Sequence, residues 1–213
     1  MGLITWAYSV PFFLVTAPDW VGSTMFDVSA NVPDGTTKAQ CPVMLQNLLI
    51  ERFKLAVHRE SKEVAKYALV VAKNGPKFKI AAGDTASEGS DDPVGPPPLD
   101  MQGFPVLGHG RTGTAATKSK FAAYWPKCTM EFLAKMLEVQ LSKPVTDATD
   151  LKGEYEVSLH WIPDELAPAS SRMPDDPALM SAIQEQLGLR LEAKKGPADF
   201  LVVDHLEKTP TDN

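Results

Sequence analysis

Between residues 44 and 79 the spacing of the apolar side chains changes period, and no other stretch restricts the fold as much. Met44, Leu45, Leu48, Leu49 and Phe53 recur at helical spacing and leave Gln46, Asn47, Glu51 and Arg52 on the outer face. Then Phe53, Leu55 and Val57 alternate with Lys54, Ala56 and His58, the two-residue repeat of a half-buried strand. A charged stretch reads as a turn into a second strand, Tyr67-Ala68-Leu69-Val70-Val71, and Asn74-Gly75-Pro76 stops the unit. The unit is one helix followed by two strands.

The same order recurs three times. Leu3, Ile4, Ala7 and Tyr8 share a helical face, and Phe12-Phe13-Leu14-Val15 and Phe26-Asp27-Val28-Ser29-Ala30 read as strands. Thr129 is placed to cap a helix whose face is Met130, Leu133, Met136, Leu137 and Leu141, with Glu131 suited to its first turn. After a short strand at Pro144-Val145-Thr146-Asp147 and a turn at Leu151-Lys152-Gly153, Tyr155, Val157, Leu159 and Trp161 alternate with Glu156, Ser158 and His160. Last, Leu179, Ile183 and Leu187 form a helical stripe ended by Gly188, followed by strands at 189–193 and 200–205 joined by a turn at Lys194-Lys195-Gly196-Pro197. The expected class is α+β, repeated helix-strand-strand units with helices covering one face of antiparallel sheets.

Two polar segments interrupt the pattern. Residues 83–120 are dense in Gly, Ser, Asp and Pro, with three consecutive prolines at Pro96-Pro97-Pro98, and read as a semi-rigid linker rather than a docking motif. Residues 108–113 have glycines without the strand-to-helix setting of a phosphate loop, and read as a turn. The expected division is a first half at 1–82, the linker at 83–120, and a second half at 121–213 that carries a polar insert at 164–177.

Charge and hydropathy exclude some classes. A net charge of -6 argues against a general nucleic-acid binder, and no stretch of about 18 or more apolar residues forms a spanning helix. The uncharged start, MGLITWAYSVPFFLVTA, has no basic residue and is broken by Pro11, so it makes a poor signal peptide and a better first helix. The four histidines are dispersed without HExxH or Cys-His spacing, so no metal or other cofactor is predicted. Ser158 and Ser181 lack a Gly-x-Ser-x-Gly setting.

The motifs ITWAY, PDW, FDV, MLQNLLIERFKLAVHRE and YALVVAKNGPKF, with KPVTDATDLKGEYEVSLHW, AIQEQLGLRLEAKKGP and FLVVDHLEK, make the chain resemble a large family of conserved soil-bacterial proteins of unknown function. The resemblance spans nearly the whole chain outside the two inserts. It implies no established activity or cofactor. Members usually look exported, and some are fused to membrane metallopeptidases of the antibiotic-sensor type, which implies a periplasmic or secreted place and an envelope role. Two departures stand out. The resemblance implies a leader and a first strand, neither of which is read in this stretch, and the expectation of export is balanced by a cytoplasmic alternative. Asp150 stands where the family usually has glycine, in the turn before Leu151-Lys152-Gly153.

A few residues are candidates for chemistry. His58, His160 and His205 fall in strands of different units, and His160, Asp204 and His205 form the weak candidate site, although Asp204 and His205 as strand neighbours point to opposite faces. Asp147, Asp204, Glu154 and Glu156 are the carboxylates from which an acid and base would be drawn. Cys41 and Cys128 each precede the helix of a unit, and equivalent positions in an exported protein make them candidates for a disulfide. None of these is a catalytic constellation. The sequence thus favours a non-enzymatic interaction or sensory module of the cell envelope, with an envelope protein as partner and recruitment through an exposed strand edge. The alternative is a small-molecule-binding domain or an unrecognised hydrolase using a cleft between the halves.

Overall fold

The computed structural model describes residues 1–81, 95–108, 110–163 and 178–211. In chain order the helices are α1 (Gly2–Tyr8), α2 (Trp20–Ser23), α3 (Cys41–Phe53), α4 (Met130–Leu141) and α5 (Leu179–Ala182), the last running on into a wider helical turn at Ile183–Leu187. The strands are β1 (Val15–Thr16), β2 (Ala56–Val71), β3 (Lys79–Ile80), β4 (Gly113–Ala116), β5 (Phe121–Cys128), β6 (Val145–Asp147), β7 (Tyr155–Trp161) and β8 (Leu189–His205). They form two sheets, ordered β1-β8-β2-β6 and β3-β7-β5-β4. The class is α+β. The second sheet is antiparallel throughout, whereas β1 runs parallel to β8 and β6 parallel to β2.

The chain divides into two compact units, Met1–Ala65 with Lys195–Asn213, and Lys66–Lys194. This differs from a division at 83–120. The latter part of that segment is folded into the second unit: β4 pairs with β5, Gly113 opposite Tyr124, and Phe104 is buried beside Ile162. Asp100 makes its loop rigid by accepting from the N–H groups of Gln102 and Phe104, both at 2.9 Å. Where a turn is expected at 108–113, Gly108 and Arg111 exchange paired backbone bonds, and His109 lies outside the described residues. The polar insert at 164–177 lies outside the described residues.

In the first unit α1 and α3 bury Ile4, Ala7, Leu45, Leu49 and Phe53 against Leu201 and Val203 of β8. The Gln46 carboxamide donates to the Ala7 carbonyl at 2.6 Å and ties the two helices together. Two expected strands are not strands here. Phe12–Leu14 is a 3-10 turn leading into two residues of β1, and residues 24–33 have no regular structure because no neighbouring strand supplies a ladder.

In the second unit the expected pattern is found nearly residue for residue. Thr129 caps α4, its hydroxyl accepting from the Phe132 N–H at 3.2 Å. Val157, Leu159 and Trp161 point inward from β7 onto Leu133, Leu137, Ile183 and Leu187, while Glu156, Ser158 and His160 stay exposed. Gly188 ends the last helical turn in the left-handed region at φ 64°.

Two expected turns prove to be strand. The charged stretch after His58 continues as β2, and Lys194-Lys195-Gly196-Pro197 continues as β8. Both lack a buried face over these residues, so they read as turns. The ladder is instead supported by cross-strand side-chain pairs, His58 with Asp204 at 2.7 Å and the Lys62 ammonium 5.5 Å from the centre of the Phe200 ring.

Asp150 has φ 58°, the left-handed conformation that glycine adopts freely and other residues adopt at a cost of about 1–2 kcal/mol. Glycine also loses more freedom on folding, about 0.5–1 kcal/mol, so Asp150→Gly should stabilise the protein by only about 0.5 kcal/mol. Asp150→Val should destabilise it by more than about 1 kcal/mol, β-branching being least compatible with positive φ. Urea unfolding of both variants checks the order.

Candidate functional site

Of the candidate residues read from sequence, Asp204 and His205 belong to the first unit and His160 to the second. Asp204 meets His58 across the strands, with Nδ1 2.7 Å from Oδ1 and both side chains about half exposed. His205, on the alternate face of β8, has Nε2 4.0 Å from a Glu207 oxygen. His160 belongs to the second unit, where its ring lies 5.0 Å from that of Phe104 and its backbone N–H and C=O both bond the Gln186 carboxamide. Among the described residues no group of three or more His, Cys, Asp or Glu is placed to hold a metal ion. His109 lies outside the described residues.

Of the other candidate carboxylates, Asp147 and Glu156 have structural partners. Asp147 accepts from both the N–H and the hydroxyl of Thr149, at 2.9 and 2.7 Å, and the Thr149 hydroxyl accepts from the Leu151 N–H at 3.2 Å. These bonds build the bend before the Leu151-Lys152-Gly153 turn. Glu156 accepts from the Tyr124 hydroxyl at 3.0 Å; burial, then that bond and the carboxylate's charge, raise the Tyr124 pKa.

Cys41 and Cys128 are free thiols in this structure. Cys41 opens α3 in the first unit, its Sγ 3.6 Å from the Thr37 carbonyl. Cys128 is fully buried in the second unit's core, and that burial pushes its pKa up to about 11. With maleimide at neutral pH, Cys41 should label in the folded protein and Cys128 only after unfolding. The unfolded chain gives up the Cys128 proton near its ordinary value of 9.0, and the folded chain only near 11. The contribution to stability is therefore intact below pH ~9 and is lost as the pH rises toward 11. A Cys128→Ala variant should lose stability less steeply over that window, read by urea unfolding at several pH values.

The first unit also carries an apolar groove at the edge of its core. Leu3 and Ile4 of α1, Trp20 and Val21 of α2, Leu49 and Phe53 of α3, and Leu206 after β8 line a cavity of about 310 Å³, with Met25 and Phe26 at its edge. Met25 is 92% exposed although its side chain is wholly apolar. The Phe26 ring stands edge-on to Phe53, 5.1 Å between centres. These two rings also wall a second cavity of about 620 Å³ along residues 26–31, where Asp27, Ser29, Asn31 and Arg52 bring polar groups. The two cavities thus adjoin at Phe26 and Phe53, the first mainly apolar and the second carrying polar groups, and are together called the groove. The Arg52 guanidinium donates to the Thr211 carbonyl at 3.3 Å, fixing the polar end to the segment beyond β8.

The reading from sequence missed this groove because Phe26 and Val28 alternate like a strand. The strand expected beside it, Phe12–Val15, is mostly a 3-10 turn, which the spacing of the apolar residues does not signal. Without a ladder, residues 24–33 line the surface instead of closing it.

No curated protein and no solved structure matches the chain. One family model does, over residues 1–206, and its description is Protein of unknown function (DUF3738). A match over nearly the full length, on the same blocks that carry the helix-strand pattern, establishes that the chain belongs to the DUF3738 family.

Proposed function

We propose that this chain is a non-enzymatic interaction module of the cell envelope whose first unit receives an extended segment of a protein partner in the groove beside Phe26. The shape of the groove carries this reading. Two cavities that adjoin at Phe26 and Phe53, one apolar and one with polar groups, suit a chain with an apolar anchor followed by a polar stretch. Met25, exposed at the mouth, is a flexible apolar contact of the kind that adapts to a partner. Strand addition has weaker support. Each edge strand is two to four residues long, and the outer side of β2 before Tyr67 carries Arg59, Glu60, Lys62 and Glu63, charges that discourage indiscriminate pairing. The envelope location rests on the resemblance to exported proteins.

The test is selection of peptides from a displayed random library on the purified chain, followed by anisotropy titration of the synthesised winners. The expected winners carry one or two large apolar residues beside a polar stretch. Met25→Glu, a change at an exposed side chain, should weaken them by about tenfold or more. If no peptide is selected, or if binding is indifferent to Met25→Glu, the groove is not a docking site.

A further inference from the structure

A second site, independent of the groove, lies in the second unit. The turn after β2 and the end of the last helical turn are held backbone to backbone: the Ala72 N–H donates to the Gly188 carbonyl and the Lys77 N–H to the Leu187 carbonyl, both at 2.9 Å. The approach is so close that a Cβ on Gly188 would lie 2.1 Å from the Gly75 carbonyl oxygen. Beside this clamp is a pocket of about 400 Å³ whose charged lining is Lys73, Lys77, Arg190 and Glu185. Counting Glu192, which pairs with Arg190, three cations face two carboxylates, a local excess of positive charge in a chain of net -6.

Several donors in the pocket are uncommitted. Lys77 Nζ is held by the Glu185 carbonyl at 2.7 Å and Arg190 pairs with Glu192, so these two cations are positioned. The Lys73 ammonium and the carboxamides of Asn74 and Gln184, which also line the pocket, have no hydrogen-bond or ion-pair partner among the described residues. A concave surface with fixed cations and free N–H donors focuses positive potential on a small volume. We infer that this pocket binds a small organic polyanion, a phosphate ester or a polycarboxylate. Its walls are preformed by the backbone clamp, so binding needs only side-chain movement.

The test is calorimetric titration of the full chain with pyrophosphate and, separately, with citrate, at ionic strength held constant with chloride. The expected result is saturable one-to-one binding of at least one anion. Lys73→Glu and Arg190→Gln, both at exposed side chains, should each weaken it by about tenfold. Binding of pyrophosphate alone assigns the site to phosphate esters and binding of citrate alone to polycarboxylates; binding of both assigns selection by charge. Saturable binding of neither anion, or binding by both variants equal to that of the wild type, overturns the site. Circular dichroism of the variants separates lost binding from lost folding.

Discussion

Gly188→Ala is expected to lower the unfolding free energy by about 2–5 kcal/mol, measured by urea unfolding against the wild type. Two effects act together. The left-handed conformation at φ 64° costs an alanine about 1–2 kcal/mol, and the new methyl meets the Gly75 carbonyl oxygen at 2.1 Å. That obstacle is backbone, held by the bonds from Ala72 and Lys77, so it has no alternative rotamer to escape into. Relieving it means separating β2 from the start of β8 at their hydrogen-bonded ends. Gly22 is the control: it lies in α2 with open space where a Cβ would stand, so Gly22→Ala should be neutral or slightly stabilising. A loss under about 0.5 kcal/mol at Gly188 would mean that the two backbones are not in contact.

Trp161→Ala should have an effect of similar size, about 3–5 kcal/mol, for a different reason. Trp161 ends β7, is 3% exposed, and sits opposite Phe121 in the ladder with the ring centres 5.5 Å apart. Truncation leaves a void among residues held by two strands and α4, which collapse poorly onto it. Trp161→Phe keeps most of the volume and should cost about 1–2 kcal/mol. Trp6 supplies the contrast. At 57% exposure, Trp6→Ala should change stability by less than about 0.5 kcal/mol. The three variants together separate burial from residue type, and equal losses at Trp6 and Trp161 would contradict the core described above.

The structure follows the sequence most closely where a segment buries one face against its own neighbours. α4 with its Thr129 cap, β7 with its inward Val157, Leu159 and Trp161, and the Gly188 stop all have local signals: helical spacing, alternation, a capping hydroxyl, a glycine. Asp150 is a comparable case, because a position where the resemblance led us to expect glycine proves to have positive φ. Elements without a buried face were illegible. The middle of β2 is mostly exposed and is read as a turn for the same reason that turns are polar.

For function the balance is more uneven. From spacing alone Asp204 was separable from His205, since strand neighbours diverge, but His58 as its partner was not visible. Lys73, Lys77 and Arg190 attract no notice in a chain with 21 basic residues, and only the meeting of two distant turns makes them a pocket. The groove was hidden by an alternating pattern that found no ladder.

By itself the sequence determined the class, the family's pattern of helix and strand, and the identity of the second unit's core, because periodicity records which side of a segment leaves water. Tertiary structure decided which strands pair, where the chain divides, and where its cavities lie. Those depend on segments such as 56–71 and 189–205 meeting across more than a hundred residues of chain. Periodicity records burial and carries no record of the partner.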